Sequence, residues 1–235
     1  MSRFLINGIY RATEGEGVHI GTPQVFVRFQ GCTIGCVNCD SKDTWDFGGV
    51  PELSVEEILS TVHSESLEGS IRRVSITGGD PLHPQNVPAV IELSQILKRK
   101  GFFVNIEAAG TRIVHEIFDI IDYVSFDFKT PSTGVRGNTS LIEKMVLNYP
   151  GRFQVKSVVQ DEKDFENVLA ARKDLAAREV NLDFPWVLTP AYNLNEEFPL
   201  SRFENVIVWN EKCGSHFRVI GQQHKWLHGP DKKFV

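Results

Sequence analysis

The stretch "QVFVRFQGCTIGCVNCD", residues 24 to 40, sets a β-branched and aromatic run directly against a loop that carries Cys32, Cys36 and Cys39. The run "QVFVRFQ" (24 to 30) predicts a strand, because alternating Val25, Val27 and Phe29 suit a pleated, half-buried surface. The loop then places three thiols at C-x3-C-x2-C spacing, and the chain holds only one other cysteine, Cys213. Four uses of such thiols are open: a zinc ion, nucleophilic catalysis, a disulfide with one thiol left over, or an iron–sulfur cluster. Structural zinc usually takes two separated C-x-x-C pairs, so here it needs Cys213 or His19 to complete a site. A cubane held by three thiolates keeps its fourth iron open, and a loop can follow a cubane where a helical period cannot. Gly31 and Gly35 let the backbone wrap closely. Cys213, alone near a predicted helix end, reads as a small buried hydrophobe.

Outward from this stretch, the same pattern repeats. Further strands are predicted at "RRVSITG" (72 to 78), "FFVNIEA" (102 to 108), "YVSFDF" (123 to 128), "FQVKSVV" (153 to 159), "PWVLT" (185 to 189) and "HFRVIG" (216 to 221). Between them, Ser54 with Glu57 makes a capping box for a helix to about residue 63. Val87, Val90, Leu93 and Leu97 share one face of a helix over 86 to 100, with Gly101 as its stop. Other helices are predicted at 112 to 120, 139 to 148, 161 to 178 and 201 to 212. Strands alternating with helices predict an α/β fold with a mainly parallel sheet, and the absence of a linker or repeat makes residues 1 to 235 one domain. In such sheets ligands gather at the carboxyl ends of strands, where "QGCTIGCVNCD", "TGGDP", "EAAG", "DFKTPSTG" and "TPAYN" all fall.

The 235 residues, 41% hydrophobic and 23% charged, describe a chain able to bury its own core. A formal charge of −5 gives no basic surface for nucleic acid, so a small-molecule substrate is favoured. No segment approaches a membrane span, and the amino terminus lacks the apolar core of a signal peptide. The chain therefore reads as cytoplasmic, where thiols stay reduced and a tight cysteine group means metal or redox chemistry.

"CTIGCVNC" resembles the cysteine motif of the radical S-adenosylmethionine enzymes, and "TGGDP" (77 to 81) is similar to their "GGEP" loop, with Asp80 in place of Glu. The resemblance implies a partial, modified (β/α) barrel, a [4Fe–4S] cluster on Cys32, Cys36 and Cys39, and S-adenosylmethionine contacted by Gly78, Gly79, Asp80, Ser125, Asp127 and Lys129. "EGEGVHIGTPQVFVRFQGC" and the tail "GQQHKWLHGPDKKFV" are similar to the 7-carboxy-7-deazaguanine synthase family. That family converts 6-carboxy-5,6,7,8-tetrahydropterin to 7-carboxy-7-deazaguanine with loss of ammonia, in deazapurine and queuosine biosynthesis. It implies a substrate loop at about 8 to 24, a cluster loop at 31 to 41 and a C-terminal tail at about 221 to 235. It also implies Mg2+ on Ser41, where the family has threonine, an electron donor such as flavodoxin or ferredoxin, and a homodimer.

Within this resemblance the substrate ligands are Glu14, which replaces the family's glutamine, Glu16, Arg28, Thr77 and His224. Glu16 suits the adjacent N–H donors of a 2-amino-4-oxopyrimidine edge, and Arg28 suits the substrate carboxylate. Two other readings stand beside this one: an activase that makes a glycyl radical on a partner protein, and a non-catalytic zinc-binding module.

Overall fold

The computed structural model describes residues 3 to 235. Nine strands form one sheet: β1 (Arg3–Thr13), β2 (Pro23–Phe29), β3 (Glu52–Ser54), β4 (Arg73–Gly78), β5 (Phe103–Ala108), β6 (Tyr123–Asp127), β7 (Phe153–Val159), β8 (Trp186–Pro190) and β9 (Arg218–Val219). Their spatial order is β3-β1-β2-β4-β5-β6-β7-β8-β9. From β2 onward every neighbouring pair is parallel, whereas β1 runs antiparallel to both β2 and β3. The sheet ends at β3 on one side and β9 on the other without pairing them, so the predicted parallel α/β sheet is an open, partial barrel.

Helices α1 (Val55–Glu65), α2 (Val87–Arg99), α3 (His115–Phe118), α4 (Thr139–Asn148), α5 (Glu162–Ala177), α6 (Leu200–Lys212) and α7 (Gln223–His228) occupy the connections and the tail. Ser54 and Glu57 form the reciprocal capping box that starts α1. On α2, Val90, Leu93 and Leu97 are fully buried, one apolar stripe against the sheet.

The strand period decides what faces the barrel interior. Val25, Val27, Val74, Ile76, Val104, Ile106, Val124, Phe126 and Val155 belong to the apolar core. Their alternates are polar and meet across the sheet in register: Arg28 opposite Thr77, Ser75 opposite Asn105, Glu107 opposite Ser125, Ser125 opposite Gln154, and Asp127 opposite Lys156. Asn105 donates to the Ser75 hydroxyl at 2.8 Å, and Gln154 to the Ser125 hydroxyl at 2.9 Å. A period of two therefore yields an apolar outer face under the helices and a hydrogen-bonded polar inner face.

Three expectations need correction. Residues 8 to 13 belong to the long strand β1 and 23 to 24 to β2, so the segment expected as a loop over 8 to 24 is a loop only from 14 to 22, where it closes a hairpin. Phe4 and Ile6 are buried on β1, and the register shift between Ile6 and Gly8 interrupts the alternation that would have marked it. The predicted helix 112 to 120 is the four residues of α3, because Ile113 and Val114 reach the core from backbone that is extended at Val114. The predicted strand 216 to 221 is two residues long, an edge strand paired only to Val187 and Leu188. The tail contains α7.

Candidate functional site

The carboxyl ends of the strands and the cluster loop surround one cavity of about 300 Å³. Cys32, Cys36 and Cys39 all line it, as do Glu14, Glu16, Arg28, Ser41, Thr77, Gly78, Gly79, Asp127, Lys129 and His224. All four cysteines are free. Cys213 donates to the Asn210 carbonyl at 3.2 Å, and neither it nor His19 lines the cavity, so the fourth-ligand candidates for zinc lie elsewhere.

Hydrogen-bond donors and one cation lie close to the thiols. Backbone N–H groups of Ile34 and Ser41 point at the sulfurs of Cys32 and Cys39, each at 3.4 Å. Burial pushes the Cys32 and Cys36 thiols up, while the Ile34 N–H at Cys32 and the Lys129 ammonium near Cys36 act the other way and favour the anion. Among the described residues no three His, Cys, Asp or Glu side chains converge as a single metal ion requires. Three thiols from one loop lining one cavity are the number that leaves one corner of a cubane open.

Gly78 and Gly79 have a packing reason of their own. At Gly78 (φ +151) a Cβ would lie 2.4 Å from the Phe29 carbonyl oxygen, and at Gly79 it would lie 2.6 Å from that of Gly31. The Gly79 and Asp80 N–H groups bond to those same two carbonyls at 3.1 and 2.9 Å. The β4 end is thus stitched beneath the cluster loop, and only glycine permits that approach. Asp80 is fully buried and does not line the cavity. One oxygen accepts from the Leu82 N–H at 3.0 Å, and the other has Arg112 at 3.7 Å but no hydrogen bond. Ser125 likewise sits below the cavity, bonded to Gln154. Asp127 and Lys129 do face the cavity, paired at 2.7 Å.

Arg28 Nη1 donates to the Ser41 hydroxyl at 3.3 Å, and Nη2 to the Tyr10 hydroxyl at 2.8 Å. The guanidinium and the hydroxyl, predicted for a carboxylate and a magnesium ion respectively, are therefore neighbours. Opposite them, Glu16 accepts from Lys156 Nζ at 2.6 Å and from the Gln222 amide at 2.6 Å. Burial opposes its charge, but the Lys156 ammonium and the other donors outweigh burial and hold Glu16 well below the usual carboxylate range. Lys156 also meets Glu107 at 3.5 Å and Asp127 at 3.6 Å. Those three carboxylates overcome its desolvation and keep the ammonium charged.

Glu107, Lys156 and Gln222 were not singled out from the sequence. The available signal was a lysine inside "FQVKSVV" and a glutamate ending "FFVNIEA", charged residues in central strands that only an inward polar face accommodates. The cluster loop is also held from the tail. Lys225 Nζ lies 3.2 Å from Asp40, next to Cys39, and donates to the Tyr192 carbonyl at 2.9 Å.

The chain matches the Radical SAM superfamily over residues 26–179. It is 36% identical over 129 residues to a 7-carboxy-7-deazaguanine synthase of Pyrobaculum aerophilum, covering 54% of this chain and 56% of that protein. Against several such relatives the chain thus spans about half of their length. A 7-carboxy-7-deazaguanine synthase of Methanopyrus kandleri is 30% identical over 243 residues, 92% of this chain and 90% of the relative. The crystal structure of QueE from Escherichia coli shares the fold with TM-score 0.67 and 23% identity, over 94% of this chain and 95% of that one.

Proposed function

The chain belongs to the radical SAM superfamily and, within it, to the 7-carboxy-7-deazaguanine synthases, and from that membership we propose that it is a lyase converting 6-carboxy-5,6,7,8-tetrahydropterin to 7-carboxy-7-deazaguanine with loss of ammonia. The observation that carries the reading is the sharing of one cavity by the three loop thiols and the polar inner face of the barrel. With Cys32, Cys36 and Cys39 holding a [4Fe–4S] cluster and S-adenosylmethionine at its open iron, the cofactors supply hydrogen-abstracting radical chemistry.

The chain's own contribution is placement and charge. Arg28 receives the substrate carboxylate, and Ser41 beside it offers an oxygen to Mg2+, which prefers such ligands and retains water. Glu16 faces the pyrimidine edge with both oxygens already oriented by Lys156 and Gln222, so little ordering remains to be done on binding. Thr77 lies beside Arg28 in register, and His224 closes the far wall. Asp127 and Lys129 stand on the S-adenosylmethionine side. Asp80 and Ser125 act from behind the wall, as braces. The reading also includes a homodimer, a flavodoxin or ferredoxin as electron donor, a cytoplasmic location and a single domain over residues 1 to 235. No helix among the described residues is long and apolar enough to cross a membrane.

The test is an anaerobic assay of reduced, cluster-reconstituted protein with S-adenosylmethionine, Mg2+ and the carboxytetrahydropterin, read by mass spectrometry. The expected product is carboxydeazaguanine, absent with Cys36→Ala. Undiminished turnover by Cys36→Ala would remove the cluster from the mechanism.

A further inference from the structure

Four carboxyl groups and two ammonium groups share one end of the cavity. Glu14 and Glu16 come from the turn after β1, Glu107 from β5, Asp127 from β6, Lys129 from just beyond it and Lys156 from β7. Lys129 pairs with Asp127 at 2.7 Å, and Lys156 serves Glu16, Glu107 and Asp127 at 2.6, 3.5 and 3.6 Å. Glu14 is left out. Among the described residues it has no ion-pair partner: one oxygen accepts from the Glu16 N–H at 3.2 Å and the other from the Gln24 amide at 2.8 Å. Both donors are neutral. The guanidinium on that side, Arg73, is engaged with His19 at 2.8 Å and with the Gln24 carbonyl oxygen at 3.0 Å.

A buried carboxylate with only neutral donors and two anionic neighbours carries a desolvation cost that the Gln24 amide and the more distant Lys156 ammonium offset only in part, and taking up a proton removes that cost. A carboxypterin brings one more negative charge, which Arg28 meets, and an ionised Glu14 would set a further anion without an ion pair in the same cavity. We propose that Glu14 regulates the charge of the substrate cavity: its carboxyl carries a proton while the anionic pterin is bound, and its ionisation weakens that binding. This rests on the functional reading above.

The surrounding groups agree with the assignment. Burial first, and the Glu107 charge second, push Glu14 up to about 7. Glu107 is raised too, by burial above all, but it meets Lys156 at 3.5 Å, an ion pair that Glu14 lacks. His19 is lowered to about 4 by burial and then by Arg73, and burial also lowers His224, so both imidazoles are neutral where Glu14 titrates. His224 packs against the same turn: a Cβ on Gly15 would lie 2.1 Å from its Nδ1. Arg73, Lys156 and Glu16 keep their charges throughout this range.

The decisive measurement is the pH dependence of pterin affinity, by anaerobic calorimetry on cluster-reconstituted, S-adenosylmethionine-saturated protein. From about pH 6 to about pH 9, wild-type affinity is expected to be flat at first and then to fall about tenfold per pH unit once Glu14 ionises. Glu14→Gln, neutral at every pH, should lose that fall, whatever its own affinity. A flat wild-type profile, which needs no variant, overturns the proposal, and so do equal slopes in the two proteins. The second arm uses unliganded protein: the infrared band of a protonated carboxyl should disappear near neutrality in wild type and be missing from Glu14→Gln. Identical infrared titrations overturn the proton assignment whatever the ligand. Failure of both proteins to bind the pterin at any pH, with the infrared difference present, would count against the functional reading instead.

Discussion

Lys156 carries more of the site's electrostatics than any other side chain, because its one ammonium faces carboxylates from three separate elements. Removing one partner of a buried ion group leaves the others uncompensated, at a cost of about 3 to 5 kcal/mol. Lys156→Met should lower stability by that order in chemical denaturation, and adding Glu16→Gln should recover part of the loss. Strict additivity of the two substitutions would show that the pair is not coupled. His19 supplies a pH signature of a different kind. Burial and then the Arg73 charge lower it from 6.5 to about 4, so the unfolded chain takes up this proton before the folded one does. At His19 only the unfolded state gains a proton as pH drops from about 6.5 towards about 4, so this group removes stability there, while Glu14, raised to about 7, acts in the opposite sense. Denaturation midpoints of wild type and His19→Gln across that window check it: the variant should gain on wild type as pH falls, and a constant difference would remove the assignment.

At the level of elements, the hairpin of β1 and β2 brings the turn with Glu14 and Glu16 to the same cavity as the three loop thiols. Its turn is fastened internally, the Glu14 N–H bonding to the Thr22 carbonyl at 2.8 Å and the Gly21 N–H to that of Glu14 at 2.8 Å. The helices act from outside by pressing apolar stripes onto the sheet. Leu93 on α2 is completely buried, so Leu93→Ala should cost about 2 to 5 kcal/mol through lost transfer energy and the remaining cavity. Urea denaturation of the cluster-free protein measures this directly. Loss below about 1 kcal/mol would mean that the helix relaxes into the space. Element type was readable wherever local patterning agreed with burial, as in α2 with its stripe or α1 with its capping box. It failed at β1, where the shift between Ile6 and Gly8 breaks the period, and at the ends of the chain, where α7 holds only six residues.

On the scale of the molecule, the tail returns across the open barrel. α7 pins Asp40 through Lys225, and Phe234 stacks edge-on against Tyr10 with ring centroids 5.0 Å apart. Lys225→Met should loosen the cluster loop, so that the reconstituted variant loses iron in air several-fold faster than wild type, followed by visible absorbance. Equal bleaching rates would show that the tail does not protect the cluster. By itself, the sequence determined the parallel α/β arrangement, because strand and helix periods are local, and it marked the thiol loop, because three ligands within eight positions must lie together wherever the loop goes. Which charges meet was decided only by the tertiary structure. Glu16, Glu107, Asp127 and Lys156 are brought together by strand register and the hairpin turn, and Gln222 joins them from 206 positions beyond Glu16. Their ionisation depends on burial and partners that exist only once the barrel has formed, and no local pattern records those.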